Sequence, residues 1–262
     1  MITTSPHEIA LALVEARRNG RMLSEFPGLV PTELAAAYSI QDAVVAELGA
    51  TVPGWKVGVI HPEFRTEYPS ERFAGPVSST ALMTAVEGLP AKAAIFEGGI
   101  AIVEAELVVR MAHDLPPRSS RYTPDDVRGA VGDTYIAIEV VNSPLSTLAR
   151  LGPGALIADH GGNQALVLGQ QILFPHEPDL REVILRVNGQ PRAEGVVNKA
   201  QGCDALLFLA NHLSGRGHGL KAGQVVATGS IAAIHEVAPG MILRAEFGQI
   251  GSVEVELQKV VE

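Results

Sequence analysis

Apolar residues at helical spacing dominate the first fifty positions. Ile9, Leu13 and Ala16 share one face of a segment over about 5–19 that Gly20 stops, which predicts an amphipathic helix. Leu34, Tyr38, Val45 and Leu48 repeat the spacing, predicting a second helix that starts near Thr32, a residue suited to cap it, and ends at Gly49. From Gly54 onward the period changes. Short apolar, β-branched runs between Gly and Pro residues predict strands over 56–60, 100–110, 135–141, 165–168, 183–187, 224–228, 241–247 and 252–257. Helical spacing returns over 205–213, closed by the Gly-Arg-Gly-His-Gly of 215–219. No repeat, low-complexity tract or long linker interrupts this order. The pattern is α+β rather than an alternation of strand and helix, and it predicts one domain over 1–262, with a helical segment at 1–52 and a β-rich core at 53–262.

Composition narrows the function. At 262 residues, 47% hydrophobic and 19% charged, the chain can bury a sizeable core and is too apolar to be disordered. The net charge of −9, with no basic run, predicts no nucleic-acid partner and no docking to anionic lipid. An acidic substrate would have to be drawn by a locally positive site: a metal, a lysine or backbone amides. The single cysteine, Cys203, can form no intrachain disulfide and reads as a packing residue. The N-terminal residues lack a signal-peptide pattern, and no apolar run approaches the roughly 20 residues of a membrane span, so a cytoplasmic protein without a membrane partner is expected. Neither GxxxxGK[ST] nor a strand-linked GxGxxG nor GxSxG is present, which leaves nucleotide and serine-hydrolase chemistry without support.

The strongest chemical signal lies in Ile102-Val-Glu-Ala-Glu-Leu-Val-Val109. Glu104 and Glu106 interrupt an apolar strand, point to the same face and stand roughly 7 Å apart. A second apolar run, Tyr135-Ile-Ala-Ile-Glu-Val-Val141, carries Glu139. Neither run contains a Lys or Arg to neutralise the three, and buried unpaired carboxylates are costly. Two readings stand at this point: the carboxylates line a solvated sheet face, or they hold a hard divalent ion such as Mg²⁺ or Mn²⁺.

Several stretches taken together carry a family resemblance: Gly54-Trp-Lys-Val-Gly58, Val103-Glu-Ala-Glu-Leu107, Ala137-Ile-Glu-Val-Val-Asn-Ser143, Ile157-Ala-Asp-His-Gly-Gly162, Leu209-Ala-Asn-His-Leu213, Leu220-Lys-Ala-Gly-Gln224, Thr228-Gly-Ser230 and Gly248-Gln-Ile-Gly-Ser252. In order and spacing they resemble the 2-oxopent-4-enoate (2-hydroxypentadienoate) hydratase and 4-oxalocrotonate decarboxylase group of the fumarylacetoacetate hydrolase superfamily. The resemblance implies a mixed β-roll with the helical N-terminal segment packed outside. It also implies Glu104, Glu106 and Glu139 as ligands to Mg²⁺ or Mn²⁺, Lys56 facing the same pocket, and a homo-oligomer, with association to a paralogous decarboxylase or hydratase also open. The implied substrate is a small 2-oxo acid whose enolised form the metal stabilises. That chemistry serves a hydratase of aromatic meta-cleavage catabolism first, and a decarboxylase, an acylpyruvate C–C hydrolase or a catalytically weak partner subunit as alternatives.

Lys56 would pair with the substrate carboxylate or move protons. Thr228, Gly229 and Ser230 form a turn suited to hydrogen-bonding that carboxylate, or a structural turn. Three departures from the group's pattern bear on the reaction. No acid occurs in Phe73-Ala-Gly-Pro-Val-Ser-Ser-Thr-Ala-Leu-Met83, where the group carries one. Its Asp-Asn-Ala-Ser is Asp159-His160-Gly161-Gly162, which makes Asp159 and His160 the candidate proton-transfer residues, since a histidine titrates near neutrality. Its Val-Asp-Ser is Val141-Asn142-Ser143. His61, His113 and His218, beside Pro, Asp or Gly, are expected at the surface.

Overall fold

Local chemistry sets the first helix. Ser5 accepts from the Glu8 amide while the Glu8 carboxylate accepts from the Ser5 amide, a reciprocal cap that starts α1 (Pro6–Arg18). The computed structural model describes residues 4–172 and 182–261. Helix α2 spans Leu34–Leu48 and closes on Gly49, whose left-handed backbone suits glycine. Thr32 does not cap it. The Tyr68 hydroxyl donates to the Pro31 carbonyl at 2.6 Å, and the first turn forms beyond Glu33, with no side-chain cap.

The strands follow: β1 Gly54–Val59, β2 Arg72–Val77, β3 Leu82–Thr84, β4 Ala91–Ile95 and β5 Ala101–Met111. A short helix α3 (Pro124–Ala130) leads into β6 (Val131–Asn142), and α4 (Leu148–Leu151) and α5 (Pro153–Ala158) precede β7 (Asn163–Ile172). Then come β8 (Glu182–Val187), β9 (Gln190–Val196), α6 (Lys199–Gly215), β10 (Val225–Ala227), β11 (Ala232–Ile234), β12 (Ile242–Glu246) and β13 (Ser252–Lys259). Every strand and helix expected from the pattern is present among the described residues. The elements the pattern misses are α3, α4, α5 and the strands β2, β3, β4, β9 and β11. The missed β2 carries Gly75 and Pro76; Pro lacks a ladder donor, and β2 lies at a sheet edge where that is tolerated.

Two mixed sheets result. One runs β2-β1-β10-β5-β6-β7-β3 with β11 also on β5; the other runs β4-β13-β12-β8-β9. Alternation along β5, β6 and β7 divides their side chains cleanly. Val103, Ala105, Leu107, Ile136, Ile138, Val140, Ala165 and Val167 face the second sheet and make a common core with Val183, Leu185, Leu243, Val255 and Leu257. On the other face, Val108, Ala137, Leu166 and Leu168 meet Val77, Val225 and Ala227, filling the hollow of the first sheet with small and branched groups. Helix α6 covers β5 and β10 through Leu206, Leu209 and Leu213 against Val109, Met111 and Val226. Helices α1 and α2 pack with α4 and α5 through Leu13, Val14, Ile40 and Leu148. The fold is the helix-flanked mixed β-roll that the resemblance implies.

Candidate metal centre

The sheet order brings the charged positions together. Glu104 on β5 pairs directly with Glu139 on β6, and Glu106 pairs with Ala137, so all three carboxylates share the hollow face. Lys56 arrives from β1, which pairs with β10, which in turn pairs with β5. The carboxylate oxygens of Glu104, Glu106 and Glu139 lie within 4.8 Å of one another. Glu106 and Glu139 are buried; Glu104 is partly exposed and marks the open side.

Each carboxylate has one named partner. Glu106 Oε2 accepts from the Gly229 amide at 3.0 Å, Glu139 Oε1 accepts from Asn163 Nδ2 at 2.8 Å, and Glu104 interacts with the Ser230 side chain. Lys56 Nζ stands 3.6 Å from Glu139 Oε2, an atom that has no hydrogen bond among the described residues. Burial, then the neighbouring carboxylates Glu139 and Glu104, hold the Glu106 carboxyl well above the usual range, with Lys56 and the Gly229 amide opposing. Burial, partly offset by Lys56, also raises Glu104. For Lys56, burial would lower the ammonium, but Glu139, Glu104 and Glu106 together outweigh it and hold it above its ordinary value. Three crowded carboxylates against one ammonium leave an excess of buried negative charge. A solvated sheet face is therefore excluded for Glu106 and Glu139, and the donor set fits a divalent metal site, with hard oxygens and a Glu139 Oε2 whose one partner among the described residues is the Lys56 ammonium.

The turn before β7 sets the floor of the site. His160, Gly161 and Gly162 all have left-handed backbones. A Cβ on Gly161 would come within 3.0 Å of the Gly75 backbone and 3.2 Å of Lys56 Cδ, so only glycine lets this turn press against the lysine stem. Phe73 completes the enclosure, its ring centroid 5.3 Å from Lys56 Nζ.

The two residues expected to move protons are placed differently. Asp159 is fully buried, and both its oxygens accept from the Arg17 guanidinium of α1, at 3.3 and 2.8 Å. Arg17 also donates to Gln164 Oε1 at 2.8 Å. This clamp fixes the ends of the 159–164 turn, so Asp159 sits in a positioning ion pair. His160 is buried beside Ser78 and Pro76, and burial, then Arg17, lowers it to about 4. It is neutral at physiological pH rather than poised near it. Thr228 Oγ1 donates to the Leu107 carbonyl at 2.9 Å, so its hydroxyl serves the fold, while Gly229 and Ser230 reach the carboxylates. Asn142 spans the Phe96 and Ile100 backbones and Cys203 lies half-buried on α6, while His61, His113 and His218 are exposed.

Asn163 and Arg17 were not singled out from sequence. Asn163 follows directly on the Asp-His-Gly-Gly segment, and that adjacency was the available signal. Asn163→Ala is expected to weaken Mg²⁺ binding about 10–100-fold, the usual cost of losing a group that orients a ligand. Titration calorimetry of the metal-stripped variant checks this, and an affinity within about twofold of wild type would refute the orienting role.

Comparison with known proteins agrees with this fold. Residues 47–258 match the family described as fumarylacetoacetate (FAA) hydrolase, C-terminal. A 2-keto-4-pentenoate hydratase of Paraburkholderia xenovorans (strain LB400) is 25% identical over 96% of this chain and 94% of its own. Among solved structures, 4-oxalocrotonate decarboxylase from Pseudomonas putida G7, complexed with magnesium and adipate, superposes with a TM-score of 0.77 at 19% identity, covering 96% of this chain and 97% of that one. A fumarylpyruvate hydrolase from Pseudomonas aeruginosa, in complex with Mn²⁺ and pyruvate, gives a TM-score of 0.57 at 16% identity over 79% of this chain and 89% of that one.

Proposed function

The chain belongs to the fumarylacetoacetate hydrolase family, and from that premise we propose that it is a divalent-metal-dependent lyase acting on a small 2-oxo (2-hydroxy-dienoic) acid, with hydration as its reaction. The observation that carries the reading is the buried cluster of Glu104, Glu106 and Glu139 beside Lys56. Hydration is preferred because in sequence the hydratase relative aligns over 94% of its length, whereas 4-oxalocrotonate decarboxylase of Pseudomonas putida aligns over 50% of its own.

Glu104, Glu106 and Glu139 would hold Mg²⁺ or Mn²⁺, which when bound supplies Lewis-acid polarisation to the carboxylate and 2-oxo oxygens of the substrate. Lys56, kept protonated by the surrounding carboxylates, pairs with the substrate carboxylate and stabilises negative charge as the acid enolises. The Ser230 side chain, in the turn after β10, bonds the Glu104 carboxylate and holds it on the open side of the site. Phe73 and the packed glycines keep water from the lysine stem. A neutral His160 and an Asp159 bound to Arg17 leave the proton to be carried between substrate and solvent on the open, Glu104 side. Because Arg17 belongs to α1, the helical segment and the β core act as one catalytic unit. We further read the enzyme as a cytoplasmic homo-oligomer, for which the single cysteine, typical of reducing compartments, is supporting. No helix among the described residues is long and apolar enough to cross a membrane.

The test is calorimetric titration of metal-stripped protein with Mg²⁺ and Mn²⁺, with and without oxalate as a mimic of the enolised acid. Oxalate is expected to bind only when metal is present; binding of oxalate without metal would refute the chelate. Protonation provides a second check. Raised carboxyls at Glu106 and Glu104 retain protons that a cation must displace, so binding should tighten as pH rises through their range and release protons. Heats measured in two buffers of different ionisation enthalpy report the release, and identical heats would contradict it.

A further inference from the structure

A cavity of about 480 Å³ lies behind the metal centre, walled by Leu107, Val109, Val131, Thr134, Leu206 and Ile231 among others. Leu107 and Val109 alternate with Glu106 and Val108 along β5, so the cavity opens on the opposite face of the strand from the carboxylates. The two spaces touch at one place. Thr228 and Gly229 line the cavity, and the Gly229 amide is the one that holds Glu106.

Three features of the wall point to a ligand. Its volume falls in the range of small-molecule sites, and its surface is largely apolar. Thr134 lines the cavity, and its enclosed hydroxyl, which has no hydrogen-bond partner among the described residues, lies beneath the wall, where a turn about χ1 would bring it to the surface. A buried hydroxyl without a partner costs stability that a ligand's polar atom would recover. The start of the 17-residue helix α6 also borders the cavity, through Asn198, Ala200 and Gly202; the Asn198 side chain caps the Ala200 amide, and the Arg128 guanidinium of α3, paired with Asp125, stands at the rim.

We infer that this cavity is a second ligand site, separate from the metal centre, for a compact apolar carboxylic acid of roughly the size of a substituted naphthalene. Its ring or chain fills the space between β5, β6 and α6, and its carboxylate lies toward the start of α6 and Arg128, with Thr134 donating to it or to a neighbouring polar atom. The inference does not depend on the metal reading.

The test uses the whole protein, with 1-anilinonaphthalene-8-sulfonate as fluorescent probe and 2-naphthoate as competitor. Wild type is expected to bind the probe saturably, with naphthoate displacing it. Thr134→Val should weaken binding about fivefold, the worth of one hydrogen bond. Gly202 sits in α6 with open space before it, the nearest atom to a new Cβ being Thr228 Oγ1 at 3.9 Å, so Gly202→Leu fills the cavity and should abolish the signal. Glu106→Gln, which disables the metal centre, should leave probe binding intact. Cys203, the chain's only cysteine, lines the cavity and gives a measurement on unmutated protein. Naphthoate should slow its alkylation by N-ethylmaleimide. Absence of saturable binding, undiminished binding in Gly202→Leu, or alkylation indifferent to naphthoate would overturn the site. Loss of probe binding in Glu106→Gln, or displacement by oxalate with Mg²⁺, would make the cavity part of the metal centre and overturn its independence.

Discussion

Glu106→Gln is expected to eliminate saturable Mg²⁺ and Mn²⁺ binding up to millimolar concentration, and with it oxalate binding and turnover, while making the metal-free protein more stable. The two effects share one cause. Glu106 is fully enclosed, its carboxyl is raised by burial and by Glu139 and Glu104, and its one backbone donor is the Gly229 amide. Glutamine keeps the shape and the acceptor for that amide but removes a charge that the metal-free fold must crowd against two others. Replacing an uncompensated buried charge by a neutral isostere stabilises by on the order of 1 kcal/mol or more, which raises the melting temperature of a chain this size by about 2–4 °C. The sign also follows from linkage. A carboxyl whose folded value is raised costs the metal-free wild type stability as pH climbs through the window between its unfolded and folded values, and Glu106→Gln should lose that part of the decline. Thermal denaturation of chelator-treated proteins across pH 5–8, beside calorimetry, reads both. A variant that is destabilised without metal, or that still binds Mg²⁺ as wild type does, would remove Glu106 from the metal set.

The legible part of this site was the part written in alternation. Glu104, Glu106 and Glu139 break apolar runs of period two, and that fixes their common face once β5 and β6 pair. Charge at such positions is conspicuous because burial penalises it. Lys56 needed the order β1-β10-β5, which no local pattern reveals, and entered through the family resemblance. Asn163 and Arg17 act across 24 and 142 residues of chain, through hydrogen bonds between polar side chains that look ordinary in sequence. His160 shows the converse limit. Its identity suggested a group titrating near neutrality, but its value of about 4 comes from enclosure and from Arg17, neither of which is local information. Of the missed strands, β3 and β11 have only three residues each, and β2 and β9 lie at sheet edges, where Gly, Pro and polar residues are tolerated because one side of the ladder is unpaired.

Lys56→Met should separate binding from catalysis in opposite directions. The methionine preserves most of the stem that packs against Gly75 and Gly161, so the pocket keeps its shape, but the ammonium beside Glu139 is gone. Without metal, three carboxylates then face one another with no counter-charge, a broken buried pair that costs about 3–5 kcal/mol. The loss should shrink as pH falls and the carboxyls take up protons, and it should be reversed by Mg²⁺. Metal binding itself should tighten, because the cation no longer approaches against a fixed positive charge. Turnover should nevertheless fall by about 10²–10⁴, the range for a group that stabilises developing charge or transfers a proton. Calorimetry and melting curves on the metal-free and Mg²⁺-saturated variant, with steady-state rates on 2-hydroxypenta-2,4-dienoate, measure all three. If metal affinity weakens together with activity, Lys56 acts by shaping the cation site rather than by meeting the substrate. If activity persists near the wild-type level, the lysine serves only to balance the charge of the empty cluster. Tight metal with lost turnover is the result that places it on the reacting acid.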